Sequence, residues 1–60
     1  MKVKTPKGIA EANTKDGEIR ANESGQVYVK LCKADNKDSW TKRLDYYFTM
    51  VDRSECEVME

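Results

Sequence analysis

The chain has 60 residues, of which 38% are hydrophobic and 37% are charged, and its 11 basic and 11 acidic side chains cancel to a formal net charge of zero. So short a chain supports a single domain, residues 1–60, and buries only about 60% of its unfolded surface, which leaves no room for a deep catalytic cleft. The balanced charge disfavours nucleic-acid binding through phosphates, because proteins that bind in this way normally carry a basic excess.

The opening stretch MKVKTPKG contains no apolar run of the kind found in a signal peptide. No segment approaches the roughly 20 apolar residues that span a bilayer. These features predict a cytoplasmic protein that has no membrane partner. In that compartment Cys32 and Cys56 are expected to be free thiols, whereas in an exported chain one disulfide could join them.

The first third of the chain contains two candidate strands. KGIAEAN, residues 7–13, is predicted to form a strand with Ile9 directed inward, and TKDG, residues 14–17, interrupts it. GEIRA, residues 17–21, is predicted to be the incoming strand of a hairpin, since the Asn, Ser and Gly of NESG at residues 22–25 favour a turn.

The segment QVYVKLC, residues 26–32, carries the clearest strand pattern. Alternation places Val27, Val29 and Leu31 on one face and Tyr28, Lys30 and Cys32 on the other. The following stretch KADNKDS, residues 33–39, is polar and rich in turn formers, so it is predicted to be an exposed loop.

Residues 40–51, WTKRLDYYFTMV, contain most of the aromatic side chains. A strand is preferred here because Tyr, Phe, Thr and Val favour pleated sheets. In that strand we expect an inward row that fills the interior, Leu44, Tyr46, Phe48 and Met50, and we expect Tyr47 to lie outside beside Tyr28. A helix remains an alternative, since four apolar residues recur at i, i+4, i+7 and i+11, namely Trp40, Leu44, Tyr47 and Val51. The closing CEVME is a further short alternating segment.

Four to five short strands joined by polar turns predict an all-β fold, either a small SH3-like barrel or a curled antiparallel sheet. The chain resembles the SH3-like small-barrel class in Val3, Thr5, Pro6 and Gly8, the run Val27 to Leu31 and the tail Ser54 to Val58. In that class an opening Val-x-Thr-Pro-x-Gly strand leads into a hairpin, and a short segment closes the barrel. Ala10 stands where many of these modules have a second glycine, and residues 33–39 would form an enlarged loop. The resemblance implies a fold but no function, because small barrels serve peptide binding, RNA binding and assembly alike.

The residue inventory predicts no catalytic site, no metal site and no cofactor. The chain has no histidine, which removes Ser-His and Cys-His dyads. Cys32 and Cys56 lack the paired spacing of structural zinc sites, and DNKDS lacks the glycine and terminal glutamate of a calcium-binding EF-hand loop. The three glycines are too far apart to cradle a phosphate. We therefore expect that the protein is not an enzyme.

The aromatic residues are the remaining functional signal, because Tyr and Trp are concentrated at binding hot spots. The predicted recognition surface contains Tyr28 and Tyr47, flanked by Lys30, Lys42, Arg43 and Asp45. In the competing interpretation Trp40, Tyr46 and Phe48 form the core, and the two tyrosines only pack against each other across neighbouring strands.

Three functions agree with these observations. The leading one is a non-catalytic protein-interaction module, an accessory or regulatory protein that binds a larger protein partner. The second is a nucleic-acid-binding small barrel, in which aromatic rings stack on bases and a basic group follows the backbone, namely Lys2, Lys4, Lys7, Lys30, Lys42 and Arg43. The third is a structural homodimer, in which a second copy of the chain pairs along LDYYFTMV.

Overall fold

The computed structural model describes residues 1–59, and seven β-strands occur in that range. They are β1 (Lys2–Thr5), β2 (Gly8–Ala12), β3 (Thr14–Lys15), β4 (Glu18–Ile19), β5 (Gln26–Cys32), β6 (Tyr46–Asp52) and β7 (Glu57–Val58). Strands account for 49% of the described residues, and no helix of seven or more residues occurs among them. The predicted all-β class is therefore confirmed.

Five of the strands form one antiparallel sheet in the order β6-β5-β2-β1-β7, and β3 and β4 form a separate hairpin. Within residues 1–59, β6 and β7 are the edges of the larger sheet, and the sheet does not close into a barrel. A 3-10 turn at Arg53–Glu55 connects the end of β6 to β7. No helix among residues 1–59 is long and apolar enough to cross a membrane.

The core lies on one side of β5, and its side chains are small. Val27, Val29 and Leu31 are buried as their alternation predicts. They pack with five other buried residues from four segments of the chain, namely Val3, Ala10, Ala12, Val51 and Cys56. Half-buried side chains at the border of this core are Met1, Ile19, Trp40 and Tyr47.

The predicted orientation of β6 is wrong. The side chains expected inside are exposed, with 67% of Leu44, 50% of Tyr46, 50% of Phe48 and 37% of Met50 accessible. The cause is the register of the β5–β6 pair, which sets Val51 opposite Val27 and Tyr47 opposite Leu31. Residues that are directly opposite share a face of the sheet. The core face of β5 therefore draws Tyr47 and Val51 inward and leaves the bulkier row outside.

The predicted hairpin between GEIRA and β5 is also wrong. β4 pairs instead with β3 around Asp16 and Gly17, whose φ angles are 54° and 81°. Two consecutive positive φ angles are the signature of a type I′ hairpin turn. The predicted turn at residues 22–25 does form, since the Asn22 Oδ1 accepts hydrogen bonds from two backbone N–H groups at 2.9 Å. It leads into β5 without an incoming partner strand.

Three smaller differences concern residue orientation and element bounds. In β2 the buried side chains are Ala10 and Ala12, and Ile9 is only half-buried. Residues 40–45 are neither strand nor helix, so the helical alternative is wrong and the strand begins at Tyr46. The predicted loop at residues 33–39 contains two 3-10 turns.

One residue of that loop, Asn36, is buried and completes the sheet where β5 diverges from β2. Its Oδ1 accepts a hydrogen bond from the Ile9 N–H at 2.8 Å. Its Nδ2 donates to the carbonyl oxygens of Ile9 and Cys32, both at 2.9 Å. The side chain thus takes the place of a strand neighbour for Ile9, beside Gly8, whose φ is +128°.

Candidate functional site

An exposed aromatic face covers the outer side of β5 and β6. We define it by five side chains, namely Tyr28, Lys30, Tyr46, Phe48 and Met50. The register sets Tyr28 opposite Met50 and Lys30 opposite Phe48, so alternation brings all five to the same side. The interior is already filled by valine, alanine and leucine, and these larger side chains lie on the side away from it.

The three rings of the aromatic face pack together through Phe48, which contacts the other two. Tyr28 and Phe48 are stacked, with centroids 5.3 Å apart and planes 4° from parallel. Tyr46 meets Phe48 edge to face at 5.8 Å and 82°. Both arrangements are favourable for aromatic pairs. Because each ring restrains its neighbour, the face loses less conformational entropy on binding than separate flexible side chains would.

Lys30 supplies a positive charge beside the rings, on the side of the face that borders β2. Its Nζ lies 4.5 Å from the centroid of Tyr46, within cation–π distance. Ion pairs among the described residues join the Met1 amino group to Glu11 and Lys2 to Asp35, and neither uses Lys30. Glu11 is the residue opposite Lys30 on β2, so the nearest cross-strand carboxylate is already engaged. Lys30 can therefore receive a carboxylate from a ligand.

Two open depressions extend the aromatic face at its ends. One, of about 430 Å³, lies beside Tyr28 and Met50 and includes Arg20 and Asn22 in its lining. The other, of about 530 Å³, lies beyond Cys32 and is also lined by Lys33, Ala34, Lys37 and Asp45. The seven residues of β5 span roughly 20 Å at about 3.3 Å per residue. The surface is thus elongated along the strands.

The predicted site residues divide between this face and a second location. Tyr28 and Lys30 lie on the aromatic face. Tyr47 lies on the core side, 5.4 Å from Trp40 between ring centroids, and Lys42 places its Nζ 5.4 Å from the Tyr47 ring. Arg43 is exposed in the segment that precedes β6. The predicted contact between Tyr28 and Tyr47 is wrong, because the two rings lie on opposite sides of the sheet.

Three members of the aromatic face, Tyr46, Phe48 and Met50, were assigned to the interior by the sequence. The charged residues at the ends of the strand do not show which row faces the solvent, because they occur in both rows. Asp52 shares the parity of the outer row, whereas Asp45 and Arg53 share that of the inner row. The orientation depends on the register with β5, which is a long-range property.

No group of three or more acidic or cysteine side chains in residues 1–59 is placed to hold a metal ion. Both cysteines are free thiols, and Cys56 is buried. Burial raises the pKa of the Cys56 thiol, which is the opposite of what a nucleophilic cysteine requires. The aromatic face offers apolar contact, ring stacking and one cation.

Comparison of this chain with protein-family models, with curated proteins and with solved structures finds no match. The fold and the face together define a class, a small all-β protein with an exposed aromatic sheet surface.

Proposed function

We propose that this chain is a non-catalytic protein-interaction module that binds an extended segment of a larger protein partner on its aromatic face. The observation that carries the proposal is the exposure of three packed rings, in which Phe48 contacts both Tyr28 and Tyr46. Tyr28, Tyr46 and Phe48 each keep about half of their surface in contact with solvent. Contiguous apolar patches of this kind mark interaction sites, whereas isolated exposed side chains do not.

The chemistry of the face indicates the chemistry of the segment it would bind. Apolar side chains of the partner would cover the rings and Met50. Such a contact would resemble the aromatic centre of known interfaces. A carboxylate of the partner would approach Lys30, and this charge pair would select the partner and set its orientation. A span of roughly 20 Å accommodates about six extended residues.

We also propose that the fold belongs to the SH3-like small-barrel class. The hairpin of β1 and β2 and the pairing of the short last strand β7 with β1 support this assignment. It carries no argument for function. A cytoplasmic location is proposed with it, since a reducing compartment keeps Cys32 and Cys56 as thiols.

Selection from a random peptide library tests the proposed function even though the partner is unidentified. The wild-type chain is the bait, and the Phe48→Ser variant is used for counter-selection. The matched control is Leu44→Ser, because Leu44 is also apolar and is more exposed than Phe48, but lies outside the aromatic face. We expect selected peptides to combine apolar residues with Asp or Glu.

Those peptides should bind the Leu44→Ser variant as they bind wild type and lose at least about tenfold in affinity for Phe48→Ser, as expected at a hot spot. Lys30→Gln should weaken only the peptides that carry an acidic residue. Circular dichroism confirms that each variant retains its sheet. Failure to select any peptide, or equal affinity for Phe48→Ser, would refute the proposal.

A nucleic-acid-binding function is the second candidate, since rings on adjacent strands with a lysine between them can also stack on bases. It ranks second because the net charge is zero. Titration with single-stranded RNA and DNA at low salt separates the two functions. Binding that weakens steeply with salt and is lost in Phe48→Ser would replace the peptide-binding proposal.

A further inference from the structure

The outer rim of β6 carries backbone groups that no other strand of residues 1–59 uses, because β6 is an edge of the sheet. Two backbone hydrogen bonds show which residues of β5 and β6 form the hydrogen-bonded pairs. Lys33 N–H donates to Asp45 O and Arg53 N–H donates to Gly25 O, both at 2.8 Å. Odd-numbered residues of β6 therefore direct their backbone groups to β5. The N–H and C=O groups of Tyr46, Phe48 and Met50 point away from the sheet.

This rim lacks the features that usually protect an edge strand. Natural edges are kept short or carry lysine, proline or a bulge, which prevents pairing with another chain. β6 has seven residues, YYFTMVD, with no proline, glycine or lysine, and its one charge is at the end. An edge of this kind is a template for a further strand.

We propose that β6 pairs antiparallel with β6 of a second copy of this chain, about a two-fold axis through Thr49. In this register Phe48 lies opposite Met50 of the second copy, and Tyr46 lies opposite Asp52. Each of these pairs brings together two residues whose backbone groups point outward, which is the condition for hydrogen-bonded pairs in an antiparallel ladder. All seven residues of the strand take part.

The charges at the ends of β6 identify the second copy as the occupant. Asp45 precedes the strand and Arg53 follows it, and both still bond to the β5 side of the ladder. The two-fold register sets each Asp45 opposite Arg53 of the other copy. A shift of two residues in either direction loses both charge pairs and leaves two residues of each strand unpaired. Self-complementarity of this kind is the requirement for a symmetric dimer.

The dimer would join two aromatic faces into one. Phe48 and Met50 lie on the outer side of β6, so their cross-axis pairing makes the two faces continuous. The inference does not depend on the proposed peptide-binding function, because it uses the rim of β6, whereas the peptide would lie on its outer side. A partner segment would then find a binding surface of about twice the width, measured across the strands.

Sedimentation equilibrium across a concentration series tests the pairing, and wild type should dimerise. Met50→Pro removes an N–H that points away from the sheet, and proline is tolerated at such edge positions. Met50→Ala, which retains the N–H, is the matched control. We expect Met50→Pro to be monomeric and Met50→Ala to dimerise, with circular dichroism showing a folded sheet in both.

Charge reversal tests the register. Asp45→Arg alone and Arg53→Glu alone should each dimerise at least tenfold more weakly than wild type, because each variant places like charges opposite each other. An equimolar mixture should restore dimerisation, since both cross pairs in the mixed dimer are then complementary. A monomeric wild type, a dimer unaffected by Met50→Pro, or no recovery on mixing would overturn the proposal. Peptide binding by a monomeric wild type would overturn the dimer and leave the proposed function intact.

Discussion

Replacement of Gly8 by alanine is expected to destabilise the protein through two separate effects. Gly8 has a φ of +128°, and a Cβ at this position would lie 2.5 Å from the Oδ1 of Asn36. The backbone conformation costs a non-glycine residue about 1–3 kcal/mol. Displacement of the Oδ1 breaks its 2.8 Å bond from the Ile9 N–H, and an unsatisfied donor costs about 1–3 kcal/mol more. The expected loss is therefore about 2–6 kcal/mol.

A double-mutant cycle separates these effects. In an Asn36→Ala background the contact no longer exists, so Gly8→Ala should cost only the conformational part, about 1–3 kcal/mol. Gly17→Ala is the matched glycine control, because Gly17 has a φ of +81° and an added Cβ would meet nothing within 4 Å. Urea unfolding followed by far-ultraviolet circular dichroism and by Trp40 fluorescence measures each free energy of unfolding.

Two outcomes would contradict this prediction. One is a loss of stability for Gly8→Ala no larger than that for Gly17→Ala, and the other is the same loss in both Asn36 backgrounds. Either result would mean that Asn36 does not brace the strand end. If Gly8→Ala does not fold while Gly17→Ala folds, the result agrees with the prediction. The contribution of Asn36 is then measured from the free energy of unfolding of the Asn36→Ala variant.

Three further predictions concern the core, the thiols and the edge. Leu31→Ala should cost about 2–5 kcal/mol, because Leu31 is 1% exposed. Phe48→Ala should cost less, about 1–3 kcal/mol, because Phe48 is 50% exposed and loses two ring contacts of about 0.5–1.5 kcal/mol each. A larger loss for Phe48→Ala than for Leu31→Ala in urea unfolding would contradict the outward orientation of β6. Burial raises the pKa of Cys56, so the folded state keeps a proton that the unfolded state releases, and the free energy of unfolding should fall as the pH rises above the ordinary thiol value of 9.0. The Cys56→Ala variant should lack this part of the pH-dependent fall. A thiol reagent should modify Cys32 before Cys56. Lys7 Nζ lies 3.3 Å from the Thr49 hydroxyl, so the proposed two-fold axis through Thr49 brings the two copies of this positive charge near each other. Lys7→Gln removes that repulsion and should tighten the dimer in sedimentation experiments. Weaker association of this variant would contradict the placement of the axis.

The parts of the fold that sequence could predict are those set by neighbouring residues. The predicted alternation in β5 is confirmed, because a strand places Val27, Val29 and Leu31 on the same side through local geometry alone. The turn at residues 22–25 survives because the Asn22 side chain bonds to backbone groups within its own segment.

The parts that failed depend on partners distant in the chain. The orientation of β6 is set by its register with β5, and a shift of one residue exchanges the two faces. Asn36 looked like a solvated loop residue, yet it bonds to a strand 27 positions away. Tyr28 and Lys30 could be singled out from alternation, but Phe48 and Tyr46 could be placed beside them only when the register was known.

The alternation of β5 would couple binding on the proposed surface to folding. Tyr28 lies between Val27 and Val29, which are buried almost completely, so the strand that presents the aromatic face also holds the core together. A ligand that binds only the folded chain adds about 2.7 kcal/mol to its stability at one hundred times the dissociation constant. For a domain of this size such an increment is a large share of the total. The melting temperature of the chain is therefore a sensitive test of whether a given compound or peptide binds this face.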